Sequence, residues 1–130
     1  MSHDRRVHSA EDAPEAIGPY SHAVAGRGLL FCSGQIPLDP KTGELVDGDA
    51  AAQAVRCLEN LEAVCRSAGA RLADAVRCTI YMTDLGEFAR VNEAYAGFFG
   101  EEPPSRVTVG VAALPRGAQV EVEAIVAVDG

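Results

Sequence analysis

Pro104-Ser105-Arg106-Val107-Thr108-Val109 and, a short way downstream, Val120-Glu121-Val122-Glu123-Ala124-Ile125 decide the fold. Both segments alternate apolar with polar residues, the period of a half-buried strand. Side chains two apart on a strand point the same way. The first segment therefore sets Val107, Val109 and Val111 on one face and Arg106 and Thr108 on the other. The second sets Val120, Val122, Ala124, Val126 and Val128 against Glu121 and Glu123. With the two strands paired, a guanidinium and two carboxylates share a face, which makes a small anion site with an acid/base group beside it. Parity alone does not separate Glu121 from Glu123.

Working outward, residues 75–83 alternate again, with Val76, Cys78, Ile80 and Met82 opposite Arg77, Thr79, Tyr81 and Thr83. A helix is predicted from Asp49 to Ala68. Its stripe is Ala54, Leu58, Leu61, Cys65 and Ala68, broadened by Val55 and Val64. Asp49 suits its N-cap and Gly69 its end. A second helix is predicted from Leu85 to Phe99, with Phe88, Val91, Tyr95 and Phe98 buried, stopped by Gly100 and Pro103-Pro104. Upstream, residues 21–25 and 29–33 read as a hairpin across Gly26-Arg27-Gly28, and residues 1–9 as a short edge strand. Residues 13–19 and 36–43, rich in Pro and Gly, read as loop and turn. The order β-β-α-β-α-β-β is an α+β domain, a mixed sheet with two helices on one face. Its other face, expected to carry Arg77, Thr79, Tyr81, Arg106, Thr108, Glu121 and Glu123, is either solvated or joined to copies of itself.

The chain has 130 residues, 48% of them hydrophobic, which fits a single domain over 1–130 able to bury a core. No run approaches the roughly 18 apolar residues of a membrane span. The N-terminal basic pair is followed by no apolar region, so no signal peptide is expected. Net charge is −8, from 11 basic and 19 acidic residues. That balance disfavours nucleic acid and favours a small anionic metabolite held by one arginine. Cys32, Cys57, Cys65 and Cys78 lack CxxC spacing and there are only 3 histidines, so reduced, buried thiols in a cytoplasmic protein are expected, with no metal site. Gly18, Gly26 and Gly28 form no nucleotide-binding motif, and Ser105 has no GxSxG context.

Five segments occur in order: Ala16-Ile17-Gly18-Pro19-Tyr20-Ser21, Ser33-Gly34-Gln35-Ile36-Pro37, Pro40-Lys41-Thr42-Gly43-Glu44, Asn92-Glu93-Ala94-Tyr95, and Pro104-Ser105-Arg106 through Glu121. Together they resemble the RidA (YjgF-like) family of 2-iminobutanoate/2-iminopropanoate deaminases, over residues 8–128. The resemblance implies a chorismate-mutase-like fold and a homotrimer whose sheets form a central barrel, with active sites between subunits. It implies that Arg106 grips the substrate carboxylate and Glu121 activates water. Tyr20 would stand at the pocket wall, and the Ser33–Gly34 backbone would face the substrate nitrogen or the water. Many members carry a cysteine two residues after the arginine; here Thr108 stands there, keeping a backbone contact to the carboxylate without a thiol.

The implied reaction turns 2-imino or enamine acids, including 2-aminoacrylate, into 2-keto acids and ammonia, a pre-emption of metabolite damage. It needs an anion clamp, a positioned water and a proton acceptor, and no cofactor. Arginine suits the clamp, since its planar, permanently charged fork binds a carboxylate bidentately. A partly desolvated glutamate suits the base. His22 reads as surface or structural. Three other classes compete. A non-catalytic keto/imino-acid binder or chaperone-like trimer would keep Arg106 and dispense with Glu121. An endoribonuclease, a role claimed for some relatives, would need a basic stripe this chain lacks. A deaminase for a larger acid, such as an aminomuconate, would differ only in cleft size.

Overall fold

A computed structural model describes residues 4–128. Its elements in chain order are β1 (Arg6–His8), β2 (Ala23–Gly26), β3 (Leu29–Gln35), α1 (Ala50–Ser67), β4 (Ala75–Met82), α2 (Phe88–Ala96), β5 (Ser105–Gly110) and β6 (Val120–Ala127). The strands form one sheet in the order β1-β2-β3-β6-β4-β5. Only β4 and β5 run parallel, joined by the crossover through α2; all other pairs are antiparallel. The expected edge strand is β1, although residues 1–3 of that expectation lie outside the described residues.

Local chemistry explains the joints. The β2–β3 hairpin turns on Arg27 and Gly28, at φ 56° and 77°. Two consecutive left-handed residues match the right-handed strand twist. Asp49 caps α1 by accepting from Ala52 N–H at 3.0 Å, and Gly69, at φ 71°, ends it. Leu58, Leu61 and Val64 of α1 press on Leu30, Ile80, Val122 and Val126 of the sheet, all 1% exposed or less. The second helix is shorter than its apolar pattern predicts. Leu85–Glu87 is a 3₁₀ turn, held by Gly86 N–H donating to Asp84 Oδ1 at 2.8 Å, and α2 stops at Ala96 before Gly97.

The expected pairing of the last two strands is corrected. β5 and β6 do not touch, because β4 lies between them. Register then divides the polar residues. Arg106 lies beside Cys78 and Thr108 beside Ile80, on the helix-covered side. Glu121 lies beside Tyr81 and Glu123 beside Thr79, on the open side. Arg106 and Thr108 therefore do not share a face with Arg77, Thr79, Tyr81, Glu121 and Glu123. The valines of β5 face outward instead. The open face carries two apolar patches, Val24, Phe31 and Ile125 on one side and Val107 and Val109 on the other, separated by Arg77, Thr79 and Tyr81 of β4, with Phe31 48% exposed.

Candidate active site

Six of the residues singled out from the sequence fall into two clusters, on different surfaces of the protomer. The first lies at the open side of β3 and β6, where Tyr20, Ser33, Gly34 and Glu121 join Ile17, Ile36 and Pro115 around a cavity of about 300 Å³. β3 bulges between Cys32 and Gln35, so Ser33 and Gly34 bend out of the regular ladder. Such bulges re-aim residues beside functional sites. Ser33 is pinned through its hydroxyl, which donates to Ser21 C=O at 2.6 Å. Gly34 leaves room for a neighbour: a Cβ there would fall against the Glu121 carboxylate, 3.0 Å from Cδ, and displace it. Tyr20 folds back so that its hydroxyl accepts from Ile17 N–H at 3.2 Å.

The two glutamates left equivalent by parity differ in their surroundings. Glu123 accepts a hydrogen bond of 2.5 Å from Tyr81 O–H, which pushes the phenol up to about 12. Glu121 lines the cavity, and Glu123 does not. Burial in this largely apolar pocket, followed by the nearby Glu123 charge, holds the Glu121 carboxyl above the usual range. Of the two glutamates, Glu121 is the one that lines the cavity.

The second cluster lies on the helix side at the sheet edge. Arg106 Nη1 donates to Asn92 Oδ1 at 2.7 Å. The guanidinium carbon sits 4.9 Å from the Tyr95 ring centroid and 5.5 Å from that of Phe88. A cavity of about 410 Å³ opens here, lined by Asn92, Tyr95, Phe99, Pro103, Pro104 and Arg106 among others. Thr108 follows two residues along β5; its hydroxyl oxygen is buried with no partner among the described residues.

His22 is structural: its Nδ1 accepts from Ala10 N–H at 2.9 Å and its Nε2 donates to Pro14 C=O at 2.8 Å. All four cysteines are buried and free, and burial pushes the Cys57 thiol up, away from nucleophilic use. Among the described residues no group of His, Cys, Asp or Glu is set to hold a metal ion, and no helix is long and apolar enough to cross a membrane.

Sequence reading missed the apolar wall of Ile17, Ile36 and Pro115, whose positions depend on loops. It also missed the surroundings of Arg106, although Phe88, Asn92 and Tyr95 stand at the i, i+4, i+7 spacing of one helix stripe. Two buried amides of α1 went unnoticed as well. Asn60 donates to the carbonyls of Ile36 and Leu38, and Gln53 accepts from Gln119 N–H, so α1 holds the loops that shape the first cavity.

These features define a class: a small α+β protein with a carboxylate pocket on one sheet surface and a stacked arginine on another. Residues 10–128 match the family described as Endoribonuclease L-PSP. The chain belongs to that family, the YjgF/RidA proteins. It is 56% identical over 124 residues to Protein DfrA of Myxococcus xanthus, covering 93% of each chain. It is 44% identical over 121 residues to the mouse 2-iminobutanoate/2-iminopropanoate deaminase, covering 93% of this chain and 90% of the mouse protein. The structure of E. coli TdcF with bound serine superposes with a TM-score of 0.90 at 40% identity, covering 95% of this chain and 99% of that one.

Proposed function

We propose that the protein hydrolyses small 2-imino and enamine acids, such as 2-iminobutanoate and 2-iminopropanoate, to 2-keto acids and ammonia. The site is assembled between subunits of a homotrimer, from the arginine cluster of one protomer and the glutamate cluster of its neighbour. One observation carries this reading: Arg106 and Glu121 occupy opposite sides of one sheet, so the two halves within a single protomer face different surfaces. The exposed apolar residues of the open face, Phe31, Val107 and Val109 among them, favour the association. Relatives named as deaminases of this substrate class support the chemistry.

In this mechanism Arg106 binds the substrate carboxylate, with the backbone at Thr108 adding a contact. Water attacks the carbon of the protonated imine as Glu121 takes one of its protons, and the C=N π pair moves to nitrogen to give a neutral carbinolamine. Glu121 returns that proton to the amine; the C–N bond then breaks as the hydroxyl oxygen forms the C=O, and the hydroxyl proton passes to the departing ammonia, leaving the keto acid and ammonium with the carboxylate regenerated. Backbone at Ser33 and Gly34 faces the nitrogen or the water, and the Tyr20 ring walls the substrate's alkyl chain. Net charge −8 weighs for a small anion bound at one arginine and against RNA. The test generates imines from several amino acids with an amino-acid oxidase and follows their disappearance by semicarbazide trapping. The wild type should accelerate hydrolysis, and Arg106→Ala should lose about 10²–10³-fold. A folded protein that accelerates none of these imines would overturn the proposal.

A further inference from the structure

Phe88, Asn92 and Tyr95 form a single stripe along α2, and Arg106 reaches across from β5 to lie on it. Both rings are within cation–π range of the guanidinium, at 5.5 and 4.9 Å. Tyr95 is buried beside Val91, so this side of the platform is anchored in the core, while Asn92 and Phe88 reach the surface. The Asn92 amide takes one donor, on Nη1, at 2.7 Å.

We infer that Phe88, Asn92 and Tyr95 form a cradle in which Asn92 is the positioning residue for Arg106, presenting the Nε–Nη2 edge of the guanidinium to an incoming carboxylate. The inference rests on the reading that Arg106 binds the substrate carboxylate, and deepens it. A guanidinium carries five N–H donors in a fixed fork, and two parallel donors on one edge suit a carboxylate. The rings hold the plane of the fork and use none of its donors. Asn92 fixes rotation within that plane by occupying the opposite corner. Its neutrality matters as much as its geometry. An aspartate has the same shape and would accept the same N–H more strongly, yet it would cancel the arginine's charge and compete with the ligand. A contact serving only to fasten α2 to β5 would be better made by an acid. A neutral acceptor beside two aromatic faces keeps an arginine on an edge strand ordered while leaving its positive charge uncompensated for the ligand.

The experiment compares wild type, Asn92→Ala, Asn92→Asp and Arg106→Lys, each checked for an unchanged circular-dichroism spectrum and melting temperature. Binding of 2-oxobutanoate is titrated by NMR, and kcat and KM for imine hydrolysis are measured separately. Asn92→Ala should raise Kd and KM about fivefold with kcat little changed, the mark of lost ground-state binding. Asn92→Asp, although isosteric and folded, should weaken binding further, by about tenfold or more, through charge competition. If both Asn92 variants bind 2-oxobutanoate as the wild type does while Arg106→Lys does not, the cradle is only a fastening and the inference fails with the proposed function intact. Wild-type binding retained in Asn92→Asp but lost in Asn92→Ala would also overturn it, since neutrality would then be irrelevant. A wild type that neither binds 2-oxobutanoate nor hydrolyses imines overturns the inference together with the function it rests on.

Discussion

Glu121 shows how one side chain is tuned by its neighbours. Burial beside Ile17, Ile36 and Pro115 comes first, and the Glu123 carboxylate stands two residues along the same strand face, so its ionisation is resisted on two counts. With its folded pKa above that of an exposed glutamate, its ionisation costs stability. Glu121's contribution to stability is fully present below the ordinary carboxylate range and is lost as pH rises through the raised value. Glu121→Gln should therefore melt higher than wild type at pH 7, with the difference closing as pH falls to about 4. Calorimetry across that range checks the sign, and a variant less stable than wild type at pH 7 would contradict it. The same variant should lose about 10²–10⁴-fold in kcat and with it the acidic limb of the pH–rate profile. Gly34 belongs to the same geometry. Its Cβ position is occupied by the flexible end of Glu121 and not by backbone. Gly34→Ala should thus displace the carboxylate while sparing the fold, so kcat drops at least tenfold with the melting temperature within a few degrees of wild type. A parallel loss of stability and activity would point instead to a structural glycine.

Among the elements, those governed by nearest neighbours were legible in the sequence. The α1 boundaries follow from the Asp49 cap and the left-handed Gly69, and the stripe through Leu58, Leu61 and Val64 is buried as its period requires. The facing of β5 was not legible. Alternation states that two faces differ, without stating which one the core covers. On an edge strand whose only sheet partner is β4, the register Cys78 to Arg106 decides, turning Val107 and Val109 outward and Arg106 and Thr108 toward α2. The identities of the site residues were therefore readable, and their separation onto two surfaces was not. Asn60 is a polar residue on an otherwise apolar stripe, and periodicity passes over it. It is fully buried, donating to Ile36 C=O at 3.3 Å and Leu38 C=O at 3.0 Å and accepting from Arg56 at 3.0 Å. Asn60→Leu would match its bulk, strand the Leu38 carbonyl and leave Ile36 C=O only the bond from Leu38 N–H at 2.8 Å, costing about 1–3 kcal/mol in urea unfolding. Because Ile36 lines the Glu121 cavity, activity should fall even at temperatures where the variant stays folded. A loss below about 0.5 kcal/mol would mean that water serves those carbonyls equally well.

At the scale of the whole molecule, the sheet carries the two clusters on opposite faces. The Arg106 cluster sits against α2 at the β5 edge, and the Glu121 cluster opens beside the bulge of β3 on the other face. A site drawing one half from each of two subunits makes a prediction that a site within one chain does not. Arg106→Ala and Glu121→Gln should each be nearly inactive alone. Each chain, however, still carries the half that the other has lost. When the two variants are mixed in equal amounts and their subunits exchange through mild denaturation and refolding, some junctions will pair an intact Arg106 with an intact Glu121. Each of the two contributions is intact with a chance of one half, so random assembly should restore about a quarter of wild-type activity, as cyclic head-to-tail contacts require. The recovered activity should elute with a particle three times the 13.6 kDa protomer mass, and should be absent when the two variants are combined without exchange. Activity that stays at the level of the separate variants, despite demonstrated exchange of tagged subunits, would place both halves of the chemistry within one chain and remove the trimer from the mechanism.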